Sequence, residues 1–401
     1  MAVLVSGGCV SMTGFNAHVN STVKTYRFSV AGWQYRTLTQ QLAQGVKERD
    51  EKIEGGAEEV TEYFTLVDRI KALKAQIRVN SNGSVPGDSA SLETELKRLQ
   101  EQQAGLVGTV ESVLKKQVIE TLAKQGIFHP FDRYIKIKAG FPPLNFKMEK
   151  LPYLLVISPR ERIETIRTNL LRQDITVPDM DKIEAEVDSL GVSSLVAELG
   201  GLGATYPTLV TDGASLRFVL DTAAHEWLHQ YLAFRPLGFR YLLDLTGIAP
   251  NYEVATMNET VADIVGREIS TEAIAEHYPD YEDGARQKEA TGSEFDFDRE
   301  MREIRKAVDR YLALGEVEVA ERFMEEKRQY LEEKGYYIRK LNQAYFAFHG
   351  KYADRPAFIS PIGIELKELR AKSASLKEFL DSVAGMTSRQ DLQLALSKAA
   401  Q

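Results

Sequence analysis

The sequence predicts an α+β fold that is predominantly helical, with a small sheet preceded by an antiparallel helical hairpin. Apolar residues recur three and four positions apart from residue 60 to 77 and again from 92 to 113, which indicates two paired helices. Residues 153–157 form a short apolar run that is typical of a buried strand. A helical period returns at residues 216–228, so most of the regular structure is expected to be helical.

Composition and charge exclude several functional classes. With 43% hydrophobic and 27% charged residues, the 401-residue chain has the balance of a globular protein, which excludes disordered and collagen-like classes. The 50 basic and 58 acidic residues leave a formal charge of -8, so the overall field does not attract nucleic-acid phosphates. No apolar run reaches the length of about 18 residues that a spanning helix needs. We therefore expect no nucleic-acid partner and no spanning helix in this chain.

Three regions are expected along the chain. Residues 1–30 are predicted to be a flexible or trimmed N-terminus, residues 31–125 a helical or coiled-coil arm, and residues 126–401 the domain that carries the chemistry. Within the arm, residues 37–54 favour a polar helix, and the Asn, Gly and Pro residues of 80–89 favour the turn between the hairpin helices. Such an arm suits a scaffold, a gate, self-association or a protein partner.

The N-terminal residues leave the compartment open. They are apolar and small but lack a basic segment before the apolar stretch, so they make a poor signal peptide. A cytoplasmic protein is the default expectation, and an exported or membrane-anchored one if the N-terminus is truncated. Cys9 is the single cysteine, so any metal must be held by His, Asp or Glu.

Prolines and glycines become frequent from about residue 126, where we place the boundary of the arm. Residues 160–171 and 180–199 are expected to be helices, and residues 202–210 a strand whose Pro207 suits the edge of a sheet. The glycines around residue 200 lack the spacing of a nucleotide-binding loop. A turn or a close backbone approach is expected there instead.

Residues 225–229, with the sequence HEWLH, match the zinc-binding HExxH pattern. They lie within the helical period at 216–228, so His225 and His229 are one turn apart on one face and can reach one ion at about 2.0–2.1 Å. Glu226 is then placed to reach a metal-bound water rather than the metal. The pattern predicts one Zn²⁺ with Glu226 as the general base.

A catalytic zinc needs a third protein ligand, and a later helical segment offers one. Glu259 is the candidate ligand. Asp263 lies one turn beyond it on the same face, where its carboxylate can accept the outer N–H of a zinc-bound histidine. The alternative for both acidic residues is a solvated helix face.

The two motifs, HEWLH at 225–229 and NETVAD at 258–263, together resemble the gluzincin metallopeptidases. The resemblance implies that residues 126–401 form a zincin-like zinc metallopeptidase domain. It also implies a role for each motif residue: zinc ligands His225, His229 and Glu259, general base Glu226, and Asp263 as hydrogen-bond partner of His225.

The same resemblance bears on the substrate. It implies that residues 202–207 form the edge strand along which a peptide lies, with Gly203 and Ala204 binding the substrate. The chain departs from the family in one respect: 29 residues, 230–258, separate the second histidine from the third ligand, more than in thermolysin-like and classical aminopeptidase members. Residues 234–245 within it are expected to form a helix that lines the cleft.

A further resemblance concerns residues 341–352, which are similar to the C-terminal Asn-Asn-Ala segment of a bacterial aminopeptidase-like family. It implies that Asn342 binds substrate and that Tyr345 and Tyr352 act as catalytic residues holding the substrate or the oxyanion. Tyrosines in an aromatic helical stretch also suit a hydrophobic core. His349 suits either an aromatic cluster or a transition-state donor.

Two alternatives compete with a catalytic zinc site. Glu226 and His229 are also half of a di-iron motif, but no second Glu-x-x-His occurs in the chain. A non-catalytic helical interaction protein with a structural zinc clamp needs four protein ligands, whereas the sequence offers three. The expected function is therefore a zinc-dependent peptidase, with aminopeptidase activity as one form of it, and a peptide as the substrate.

Overall fold

The structure is a computed structural model, and it describes residues 12–29, 32–33, 56–81, 89–131, 138, 140–199, 201–202, 206–245, 248–249, 251–281, 295–352 and 361–399. These residues form the following elements in chain order: α1 (Met12–Val23), α2 (Ala57–Ser81), α3 (Ser89–Lys124), β1 (Phe146–Glu149), β2 (Tyr153–Pro159), β3 (Arg167–Leu171), α4 (Val177–Asp188), β4 (Val192–Glu198), β5 (Gly201–Leu202), β6 (Thr208–Thr211), α5 (Leu216–Leu232), α6 (Pro236–Leu245), α7 (Tyr252–His277), α8 (Phe297–Ala313), α9 (Val317–Glu333), α10 (Gln343–Tyr352), α11 (Pro361–Lys372), α12 (Leu376–Ala384) and α13 (Arg389–Lys398). The expectation of a mainly helical α+β protein with little sheet is confirmed.

The chain divides into two compact units, each built from separate stretches of sequence. The first comprises Met1–Val30, Leu151–Leu199 and Thr291–Asp354. The second comprises Ala31–Lys150, Gly200–Ala290 and Arg355–Gln401. The hairpin helices and the HExxH segment belong to the same unit.

The first unit contains a three-stranded antiparallel sheet with apolar side chains on both faces. Its order is β3-β2-β4, so β2 is the central strand. Leu155 and Ile157 of β2 pack on one face in a cluster with α1 and α4, while Leu154 and Val156 pack on the other face with α10. The alternation is that of a pleated strand, and the predicted buried strand at 153–157 is confirmed.

Two helices predicted in this region are wrong in whole or in part. Residues 160–171 are not a helix: the chain turns back after β2 and forms β3, which pairs with β2. The helix predicted at 180–199 ends at Asp188, and Gly191 then adopts φ 81° before β4 begins. A positive φ suits glycine because it has no Cβ, so this residue can reverse the chain into the strand.

The second unit contains the other sheet, of order β1-β6-β5, and the helix that follows it. β1 is parallel to the central β6, and β5 is antiparallel to it at the edge. The single strand predicted at 202–210 is therefore two short strands, with Gly203 and Ala204 outside the described residues. Ser215 caps α5 shortly after β6, since its side chain accepts from the Phe218 N–H at 3.4 Å.

The predicted hairpin is present as α2 and α3, and its base is part of the core of the second unit. Phe64 of α2 and Leu114 of α3 are buried in one hydrophobic cluster with residues of α5, α7 and α12. Nearer the turn, Leu66, Ile70 and Leu99 form a second cluster, whose described members all belong to α2 and α3. Residues 82–88 of the predicted turn and the helix predicted at 37–54 lie outside the described residues.

Among the residues that the structure describes, no helix has both the length and the apolar character required to cross a membrane.

The position of the hairpin base predicts a difference between two leucine substitutions. Leu114→Ala should lower the free energy of unfolding by about 2–5 kcal/mol, because Leu114 is 0% exposed in the shared core. Leu73→Ala, at a partly buried position of the turn-side cluster, is the matched control and should cost less. Chemical denaturation followed by circular dichroism measures both. Equal losses would contradict the placement of the base in the shared core.

Candidate metal centre

Helix α5 carries His225, Glu226 and His229 outside its buried stripe. Leu220, Ala224 and Leu228 are 0% exposed, and Trp227 donates its indole N–H to the Pro142 carbonyl at 2.7 Å. The i,i+4 spacing then directs the two histidines to a common side, where each keeps 18% of its side-chain surface exposed. A rigid helix thus presents both imidazoles at an accessible site.

Helix α7 brings the second motif against α5. Asn251 caps its start by accepting from the Val254 N–H at 3.0 Å, and its buried stripe shares the core of α5. Gly266 sets the spacing: a Cβ there would lie 2.7 Å from Asp221 Oδ1, 2.9 Å from the Asp221 carbonyl oxygen and 3.2 Å from His225 Cβ. The two helices approach this closely because position 266 has no side chain.

Three donor atoms from these helices converge. His225 Nε2 and His229 Nε2 are 3.0 Å apart, and Glu259 Oε2 lies 3.5 Å from the first and 3.6 Å from the second. In a tetrahedral zinc site with bonds of about 2.0–2.1 Å, neighbouring donor atoms are about 3.3 Å apart. The structure therefore brings together a possible metal-binding triad whose edges suit one small ion.

The outer nitrogens of both histidines face oxygen atoms of α7. His225 Nδ1 is 3.2 Å from Asp263 Oδ1, and His229 Nδ1 is 2.6 Å from Asn258 Oδ1. An oxygen acceptor at Nδ1 places the ring proton there, so the lone pair of the neutral imidazole is at Nε2. Two such lone pairs 3.0 Å apart repel each other unless a cation or a proton lies between them. This donor chemistry fits a bound metal ion.

The charges around the triad favour a positive charge between its three donor atoms. Burial lowers the pKa of the His225 imidazole, but hydrogen bonds to Asp263 and Glu259 outweigh it and hold that pKa well above 6.5. Burial raises the pKa of the Glu259 carboxyl, but the neighbouring His229 and His225 outweigh it and hold that pKa well below 4.5. The protein thus keeps an ionised carboxylate beside two imidazoles, as metal binding requires.

Glu226 lies beside the triad and next to the edge strand. It directly follows His225 on α5, its charge acts on the His225 imidazole, and its side chain is half-buried. A Cβ at Gly201 of β5 would lie 3.9 Å from Glu226 Oε1 and 3.0 Å from Thr222 Cγ2. The glycine permits the edge strand to run close to this carboxylate.

The remaining predicted site residues are placed differently. Gly203 and Ala204 lie outside the described residues, as does the side chain of Tyr352. Asn342 belongs to the first unit, where its side chain donates to the Ser194 carbonyl at 2.9 Å and accepts from the Tyr345 N–H at 2.8 Å. The contacts of Asn342 thus tie the start of α10 to β4. Its role toward a substrate stays a prediction.

Tyr345 and His349 form an aromatic pair in α10 of the first unit. Their ring centroids are 4.0 Å apart, and Tyr345 also packs at the edge of the cluster around Leu154 and Phe348. Burial lowers the pKa of His349 to about 4, so this imidazole is neutral near pH 7. The structure gives both residues packing contacts, and their catalytic roles stay predictions.

The sequence analysis missed three residues near the candidate metal ligands. Asn258 was only a motif position, Gly266 was not considered, and Tyr241 was one of several apolar or aromatic residues in the segment before α7. Tyr241 donates its hydroxyl to Glu259 Oε1, and its ring stacks on His229 with centroids 5.4 Å apart. A weak signal existed for Gly266, because it follows Asp263 by one turn on the motif face.

The close approach at Gly266 predicts the effect of a methyl group there. Gly266→Ala should force α7 away from α5, lower the free energy of unfolding by about 1–3 kcal/mol and weaken metal binding. Gly105→Ala in α3 is the control: nothing lies within 4 Å of its added Cβ, so alanine should stabilise that helix by about 0.5–1 kcal/mol. Denaturation curves and zinc titrations measure the two effects, and unchanged zinc affinity in Gly266→Ala would contradict the role of the glycine.

The raised pKa of His225 predicts proton release on metal binding. The metal-free imidazole stays protonated above pH 6.5, but a metal ligand must be neutral, so each bound ion displaces a proton and affinity rises with pH through that range. Calorimetric titrations in two buffers of different ionisation enthalpy measure the released protons. Asp263→Asn removes a group that raises this pKa and should reduce the release at pH 7. Binding heats independent of the buffer would refute the prediction.

Comparisons of the chain with protein-family models, with curated protein sequences and with solved structures give no match. The interpretation of this site therefore depends on its own geometry.

Proposed function

We propose that the protein is a zinc-dependent peptidase that hydrolyses peptide bonds by means of an activated water, with Glu226 as the general base. The observation that carries the proposal is the convergence of His225, His229 and Glu259 beside Glu226. Two histidines and one glutamate are a ligand set of catalytic zinc sites, in which the fourth position is left for water or substrate. The resemblance to gluzincin metallopeptidases supports the same activity.

Each group in the site has a chemical task in this proposal. A zinc ion held by the triad would supply Lewis acidity toward a water molecule and toward the carbonyl of the peptide. Glu226 accepts the proton that the water loses as its oxygen bonds to the carbonyl carbon. When the C–N bond breaks, Glu226 returns that proton to the leaving amine nitrogen. Asp263 and Asn258 keep the two imidazoles in the orientation that the ion requires.

The edge position of β5 supports a peptide as the substrate. An extended peptide can add to a free sheet edge through main-chain hydrogen bonds. β5 is the outer strand of the β1-β6-β5 sheet, and its Gly201 lies next to Glu226. A peptide bound along β5 would therefore pass by the general base.

The competing function is a helical interaction protein in which a structural zinc clamps α5 to α7. A structural zinc is closed by four protein ligands. In the described part of the chain, three residues form the candidate metal group. This ligand count supports an enzyme rather than a clamp.

Replacing the general base should separate metal binding from catalysis. Glu226→Gln should keep a full complement of zinc and reduce peptide hydrolysis by about 10²–10⁴-fold, because the amide cannot accept the proton. Zinc content per chain and cleavage of a mixed peptide library measure the two properties. The cut positions distinguish internal cleavage from release of amino-terminal residues.

Glu253→Gln is the matched control for this substitution. Glu253 lies on α7 with half of its side chain exposed, 3.7 Å from Arg389. It should retain both zinc and activity. Hydrolysis at the wild-type rate by Glu226→Gln would show that Glu226 is not the base. Zinc in both the wild type and Glu226→Gln, with peptide cleavage by neither, would favour the clamp.

A further inference from the structure

Helix α6 lies in the segment between the second histidine and the third ligand and packs beside the candidate metal centre. It packs on both α5 and α7. Leu237 is 0% exposed in the shared core, and a Cβ at Gly238 would collide with the backbone of Leu232 at the end of α5. These contacts set the position of Tyr241, which lies one turn after Gly238.

Tyr241 contacts two of the three candidate ligands. Its hydroxyl donates a hydrogen bond to Glu259 Oε1. Its ring stacks on the His229 imidazole, with centroids 5.4 Å apart and planes inclined by 26°. The stacking restricts rotation of that imidazole, and the hydrogen bond restricts rotation of the carboxylate.

The hydrogen bond also gives the two oxygens of Glu259 different surroundings. Oε2 faces the histidines, at 3.5 Å from His225 Nε2 and 3.6 Å from His229 Nε2. Oε1 is held by the phenol of Tyr241. A carboxylate held in this way offers one oxygen to an ion rather than both.

We infer that Tyr241 is a positioning residue that holds Glu259 as a one-oxygen ligand and keeps a coordination position open for water or the substrate carbonyl. The inference rests on the proposed metal centre and assigns a role to the 29-residue segment at 230–258. If both oxygens of Glu259 bound the ion, the second oxygen would occupy that position. Groups that hydrogen-bond to metal ligands typically change metal affinity by about 10–100-fold when removed.

Cobalt(II) is the probe for this inference, because its visible absorption is stronger in four-coordinate sites than in sites of higher coordination. Tyr241→Phe removes the phenol and keeps a ring that can stack. We expect cobalt affinity about 10-fold to 100-fold weaker than in the wild type, together with a weaker visible band as Glu259 turns to bind through both oxygens. Tyr241→Leu removes the stacking as well and should bind cobalt more weakly still.

Tyr278→Phe is the matched control. The Tyr278 hydroxyl donates to Gln117 Oε1 at 2.8 Å at the end of α7, so the variant also loses one phenol hydrogen bond in the same unit. It should keep the affinity and the spectrum of the wild type. Circular dichroism of the metal-free proteins checks that each variant is folded.

Wild-type cobalt affinity and an unchanged visible band in folded Tyr241→Phe would overturn the inference. A loss of affinity of the same size in Tyr278→Phe would overturn it as well, because the effect would then be a general loss of stability. The measurement does not use hydrolysis. A wild-type chain that binds cobalt but cleaves no peptide would therefore refute the proposed activity while the role of Tyr241 is still decided by the spectra.

Discussion

The site depends above all on the packing of α5 against α7. His225 and His229 are on one helix and Glu259 is on the other, so the distance between two helix surfaces sets the size of the candidate metal site. Metal ligands tolerate displacements of about 0.2 Å, far less than a side chain such as alanine would add between the helices. A Cβ at position 266 would lie only 2.7 Å from Asp221 Oδ1. Because Gly266 has no side chain, the two helices can approach as closely as the site requires. The hairpin base, the sheet and the C-terminal helices of the second unit bury the opposite sides of the two helices and hold them in place.

The polar groups of the centre are arranged in two layers by the same packing. The inner atoms, two imidazole Nε2 and one carboxylate oxygen, face one another. The outer atoms are paired across the helix interface: His225 with a carboxylate, and His229 with an amide. An amide orients the second ring without adding another negative charge near Glu226 and Glu259, which would repel them in this half-buried place. The outer nitrogen of each histidine therefore has an oxygen partner on α7 that fixes the orientation of its ring.

Local sequence patterns predicted the elements and residues that depend on a single helix or a single buried strand. The spacing of His225 and His229 suffices to place them on one side of α5, because helical geometry alone decides it. The same kind of reasoning failed at residues 160–171, where Ile163, Ile166 and Leu170 happen to follow a helical spacing. That segment gains more by pairing with β2 than by forming a helix, and pairing is a contact with a distant residue. By contrast, a turn or a close backbone approach was expected at the glycines near residue 200, and Gly201 lies close to Thr222 of α5.

The sequence by itself determined that the protein is mainly helical, that a hairpin of two helices is present and that two histidines and a later glutamate could share an ion. These properties follow from residue spacing, which local backbone geometry converts directly into faces and turns. Only the tertiary structure decided how far apart α5 and α7 lie, that Asn258 holds the outer nitrogen of His229, and where Tyr241 lies. Packing, and not periodicity, also showed that the base of the hairpin belongs to the core that α5 and α7 share. Such features depend on contacts between residues far apart in the chain, and no local period specifies which distant surface a side chain will meet.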